Sequence, residues 1–155
     1  MTATNPSSAP DAVVAEIDIA ASPERVFAAL ADPGQLMAWW GREPSVELTV
    51  CEMDARPGGR WRFRWKPVAG VAQGAVGDQL RRNGEQEFEA HGQILEYQPP
   101  ALLVWSWIAN WHEQSSHETV VRWELRATGD GTRVRVTHSA LSAEPIARGD
   151  YREGW

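Results

Sequence analysis

Arg60-Trp61-Arg62-Phe63-Arg64-Trp65-Lys66 alternates cationic and aromatic side chains without an exception. A period of two is the period of a β-strand, whose side chains point to opposite faces in turn. Trp61, Phe63 and Trp65 therefore share one face, and Arg60, Arg62, Arg64 and Lys66 share the other. The aromatic face needs a cover. The cationic face needs water or partners, and Glu87 and Glu89 of the next predicted strand fall on the same side. Opposite charges paired across strands stabilise a solvent-facing sheet modestly, so the cationic row reads as a solvated face and not as a phosphate stripe.

Working outward, the same alternation predicts strands at Ala12 to Ala20 and Val46 to Val50 before this segment. After it come Glu87 to Tyr97, Leu102 to Asn110, Glu118 to Thr128 and Thr132 to Ser139. Pro99-Pro100 and Gly129-Asp130-Gly131 mark turns, the latter closing a hairpin. Two short helices are expected between the first and second strands. Ser22 suits an N-cap and Pro23 a first helical position, with Val26, Phe27 and Leu30 at helical spacing. Asp32-Pro33-Gly34 breaks that helix, and Gln35 to Trp40 forms the second, ending at Gly41. Pro67 to Gly84, rich in Gly, Ala, Val and Gln, reads as a long loop. Ser142 to Trp155 begins a last helix. Consecutive strands with short turns imply an antiparallel meander, and the class is α+β. Residues 1–11 are expected to be a disordered tail and 12–155 a single domain.

The net charge of −6 argues against nucleic acid, whose phosphates call for clustered Lys and Arg. No apolar run approaches the roughly 20 residues that cross a bilayer. The N-terminus lacks the basic and apolar regions of a secretory signal, and Cys51 is the one cysteine, which together suit a cytoplasmic protein.

Candidate chemistry is sparse. Nine tryptophans are the exceptional feature of the composition. Trp61, Phe63, Trp65, Phe88, Trp105, Trp107, Val121, Trp123 and Val136 fall on the apolar face. They either fill a core or line an aromatic-walled cavity for a planar ligand. Trp40, with Trp39, packs the second helix onto the sheet and can reach the cavity mouth. Trp111, in a connection, is expected at an exposed or rim position. His138 is in phase with Val134 and Val136, either as a satisfied core histidine or as a polar anchor for a ligand carbonyl. His91 belongs to the solvent face, and His112 and His117 to a solvated loop. The histidine spacing matches no zinc pattern, so neither metal nor cofactor is expected. Gly-x-Ser-x-Gly elbows, phosphate loops and Cys/His nucleophile pairs are absent, and no catalytic residue is assigned.

Ala21-Ser22-Pro23-Glu24-Arg25-Val26-Phe27-Ala28-Ala29-Leu30 resembles the opening of the homologues of the activator of the 90-kDa heat-shock protein ATPase. Trp39-Trp40-Gly41, Pro57-Gly58-Gly59-Arg60-Trp61, Gly92 to Pro100, Leu103 to Trp107, Thr132 to His138 and Glu153-Gly154-Trp155 match in order. These homologues sit in the START-like, polyketide-cyclase-like (SRPBCC) superfamily. The resemblance implies a helix-grip fold: a curved antiparallel sheet of about seven strands around a C-terminal helix, with two short helices closing one end. It also implies binding of a small apolar, aromatic ligand in the cavity. The alternatives are a cyclase- or hydrolase-type enzyme using that cavity, or a co-chaperone-like interaction module with a chaperone partner. In the family the Gly-Trp pair opens the long helix; here it ends the chain given. A short or truncated covering helix is therefore expected, with a second copy in a homodimer, or further chain, over the apolar face.

Overall fold

The computed structural model describes residues 11–40, 44–114 and 116–155. The expected tail at 1–11 therefore lies, except for Asp11, outside the described residues, as does the helix end expected at Gly41. The elements are β1 (Val13–Ile19), α1 (Pro23–Ala31), α2 (Pro33–Trp40), β2 (Val46–Met53), β3 (Arg60–Pro67), α3 (Gly74–Arg82), β4 (Phe88–Gln98), β5 (Leu102–Ala109), β6 (Glu118–Ala127), β7 (Thr132–Ser139) and α4 (Pro145–Gly154). The seven strands form one antiparallel sheet in the order β1-β7-β6-β5-β4-β3-β2. Two short helices follow β1 and a short helix ends the chain, the helix-grip arrangement. No described helix is long and apolar enough to cross a membrane.

The helix starts follow their local chemistry. Ser22 Oγ accepts the backbone N–H of Arg25 at 3.2 Å, and Pro23 occupies the first helical position of α1. Asp32 ends α1 and starts α2, its carboxylate accepting the N–H of Gly34 at 2.9 Å. Proline at position 33 thus opens a helix as well as breaking one. Ser22→Ala is expected to cost about 1 kcal/mol of stability by removing the α1 cap, read as a lower denaturant midpoint at unchanged slope.

One helix contradicts the loop expected over Pro67 to Gly84. α3 buries Leu80 completely and packs Val76 against the core. Its glycines hid it, because glycine lowers helix propensity. The structure needs at least one of them: a Cβ on Gly77 would meet the Ala72 carbonyl carbon and oxygen at 2.6 Å. Among the described residues the sheet is consequently accompanied by three helices before Ser139, not two.

The outer face is as the alternation requires. Arg62 meets Glu89 at 2.7 Å, and Arg64 meets Glu87 at 3.1 Å and Glu89 at 2.7 Å. Burial alone would raise the Glu89 carboxyl, but Arg62 and Arg64 hold it below its ordinary value. The inner face is continuous: Trp61, Phe63, Trp65, Ile94, Leu103, Trp105, Trp107, Val121, Trp123, Val134 and Val136 are all buried. The short α4 covers more of it than its length suggests. Trp155 at its end lies 5.7 Å from Trp40, 5.9 Å from Trp107 and 5.4 Å from Trp123 between ring centroids. A few large rings do here what a longer helix does with more, smaller side chains.

Candidate functional site

A pocket of about 320 Å³ opens where α2, α3 and α4 approach β2–β5. Each wall arises from a local pattern. Trp65 and Trp107 come from the inner phase of β3 and β5, and Phe88 opens β4. Trp40 ends α2, Val76 faces inward from α3, and Tyr151 and Trp155 lie one helical turn apart in and after α4. Trp111 completes the aromatic wall; Ser45, Gln73, Asp150 and Glu153 are its polar members. Trp111 packs edge-on against Phe88 at 5.3 Å and Trp65 at 5.9 Å.

Trp40, Trp65, Phe88 and Trp107 are thus the sequence candidates that line the pocket. Trp61, Phe63, Trp105, Val121, Trp123, Val136 and His138 pack in the core beneath and beside it. Trp111 corrects the expectation of an exposed or rim residue, since it is 5% exposed. Tyr151, Val76, Gln73 and Trp155 were not anticipated as wall residues. Gln73 and Val76 lay in a stretch read as a loop, and the helix expected over Ser142 to Trp155 did not by itself show which of its side chains meet the sheet.

His138 is a satisfied core histidine. The Trp155 Nε1–H donates to its Nδ1 at 3.1 Å, which leaves the proton on Nε2 to be given to Thr119 Oγ1 at 2.7 Å. Thr119 in turn donates to the Trp107 carbonyl at 2.9 Å. Burial holds the ring neutral, well below the ordinary histidine value. A second network sits at the pocket wall. The Trp107 indole donates to Tyr151 Oη at 2.9 Å, and Tyr151 Oη bonds His112 Nε2 at 2.7 Å. Burial pushes the Tyr151 phenol well above its ordinary value, so it stays protonated beside the His112 ring. The indole N–H of Trp111 is buried without a hydrogen-bond partner.

His112 and His117 depart from the solvated loop expected of them. His112 is wholly buried, which pushes it down to about 4, and both rings face Glu144. His91 is exposed, as its phase predicts. Cys51 is half-buried and its thiol is pushed up to about 11 by burial, with Asp32 and Glu52 adding to the effect, so no thiolate nucleophile exists there at neutral pH.

The family model of the Activator of Hsp90 ATPase homolog 1-like proteins matches residues 20–155. The chain belongs to this family. The activator-homologue fold recurs among solved structures of low sequence identity. A Rhodobacter sphaeroides protein is 22% identical, with 95% of this chain and 83% of that one aligned at a TM-score of 0.73. A Chromobacterium violaceum protein is 20% identical over 92% of this chain and 88% of that one, at a TM-score of 0.69. An AHSA1-like protein of Aeromonas hydrophila is 19% identical over 92% of this chain and 84% of that one, at 0.66. At such identities the likeness speaks for the fold. No curated protein matches the chain. The activator homologue's place in the START-like superfamily agrees with its sheet and helix order.

Proposed function

We propose that this activator homologue binds a small apolar, aromatic molecule in the pocket between sheet and helices. The observation that carries the reading is the pocket itself: about 320 Å³ walled by Trp40, Trp65, Phe88, Trp107, Trp111, Tyr151 and Trp155. That volume lies at the lower end of small-molecule sites, and largely apolar walls with a few polar groups are their usual chemistry. It suits a ligand of one or two fused rings.

The test is a fluorescence titration with a panel of one- and two-ring aromatics, some bearing a carbonyl or phenol. Saturable quenching or a spectral shift is expected, because the wall residues are themselves the fluorophores. Val76→Trp, which fills the pocket from α3 without truncating the core, is expected to weaken binding at least tenfold while leaving the melting temperature within a few degrees. A panel with no saturable member, or a Val76→Trp protein that binds as tightly as the parent, would sink the reading. Conversion of a bound compound to product would favour the cyclase- or hydrolase-type alternative.

A further inference from the structure

The connection between β5 and β6 meets the start of α4 at a second place, outside the pocket. Glu144 immediately precedes α4 but does not cap it with its side chain. The carboxylate turns the other way, is wholly buried, and accepts the backbone N–H groups of Glu113 at 2.8 Å and Gln114 at 3.0 Å. Its ion-pair distances among the described residues run only to two imidazoles. His117 Nδ1 lies 3.6 Å and His112 Nδ1 3.9 Å from the same oxygen, Glu144 Oε1. Both separations are too long for hydrogen bonds. Both Nδ1 atoms are buried and make no hydrogen bond of ordinary geometry, the His112 ring having beyond Tyr151 only a backbone approach from His117. Buried polar atoms are nearly always satisfied, and buried carboxylates nearly always paired or metal-bound.

The three atoms lie within 4.8 Å of one another. Zinc bonds of about 2.0–2.1 Å in a tetrahedron put ligand atoms roughly 3.3 Å apart, so side-chain movements of well under an ångström would bring all three to one ion. The outer contacts suit the role too. With Nδ1 on the ion, His112 carries its proton on Nε2 and donates it to Tyr151 Oη at 2.7 Å, which orients the ring with Nδ1 toward Glu144. A ligating imidazole characteristically has such a partner on its other nitrogen.

We infer that His112, His117 and Glu144 form a site for one divalent cation of the zinc type, bound through the two Nδ1 atoms and Glu144 Oε1. Three protein donors leave a fourth position for water. The ion ties the β5–β6 connection to α4, and so braces the helix that carries Tyr151 and Trp155. The site stands independently of the pocket reading.

Calorimetric titration of the chelator-treated protein with Zn²⁺ alone tests this, with Co²⁺ as a spectroscopic probe. One equivalent is expected to bind saturably, raise the melting temperature and give visible Co²⁺ bands displaced by Zn²⁺. His117→Ala is expected to weaken binding at least tenfold. His117 is a quarter exposed, so this variant is expected to fold. Glu144→Gln, which keeps an oxygen for the backbone N–H groups, is expected to do the same. His91→Ala, at the exposed histidine of β4, leaves binding unchanged. Circular dichroism confirms folding of each protein. The inference is overturned if the parent shows no saturable one-to-one binding, if binding survives either site substitution, or if His91→Ala abolishes it.

Discussion

Replacing Trp107 by alanine is expected to cost about 3–5 kcal/mol of stability, the range for deleting a buried tryptophan from a packed core. Trp107 is 2% exposed. Its ring lies 5.0 Å from Trp61, 6.3 Å from Trp40 and 5.9 Å from Trp155, so it joins the sheet to both flanking helices. The truncation also removes the indole N–H that Tyr151 Oη accepts, within a buried network where an unmade hydrogen bond is itself costly. Urea unfolding reads the effect as a lower midpoint at unchanged slope. Trp39→Ala is the contrast. Trp39 is 48% exposed and stacks on Trp40 from outside, so its loss is expected to cost a fraction as much. Equal costs for the two would show that Trp107 does not join the layers as the packing implies.

Acid is expected to destabilise the protein well above the carboxylate range. His138 is held well below its ordinary 6.5 by burial, so the native ring stays neutral while the unfolded chain takes up the proton. The unfolded state therefore binds more protons below pH 6.5. The stability from neutral His138 is fully present above that pH and is lost as pH falls, at up to about 1.4 kcal/mol per pH unit until the native ring titrates. The groups facing the ring are Thr119 Oγ1, the Trp155 N–H, and the Trp107 and Tyr151 rings, with the His112 charge a lesser influence in the same direction. None is an anion that would support an imidazolium. Asp18, lowered from 3.8 through its hydrogen bond with Arg133, acts in a separate and more acidic window. Unfolding measured from pH 7.5 to pH 5 checks the slope. NMR of the ring isolates it: His138 is expected to show no titration over this range. A flat stability profile, or a His138→Gln variant with the parent's slope, would remove His138 as the cause.

The chain's alternation predicts the sheet because strand faces depend on neighbours two residues away, and that information is local. Arg60 to Lys66 carries both the aromatic inner face and the cations that meet Glu87 and Glu89. Ser22 likewise announces its helix start through a side chain that bonds only three residues ahead, whereas Asp32, read as part of a helix break, also starts α2 two residues before the expected Gln35. α3 escaped because Val76 and Leu80 are its only large apolar side chains against the core, while its glycines argue for a loop.

What the amino-acid order determined by itself, then, is which residues face inward: strand phase and cap chemistry are settled within a few residues of backbone. Where the inner face is filled and where it is left open was decided only by the tertiary structure. Trp61 and Trp107 occupy the same phase of neighbouring patterns, yet only Trp107 borders the pocket, because side chains arriving from α2, α3 and α4 set the remaining space. The meeting of His112 and His117 with Glu144 has the same origin. A hairpin partner and a helix start, β6, β7 and their turns apart in the chain, are brought together by closure of the fold, and no local period records that distance.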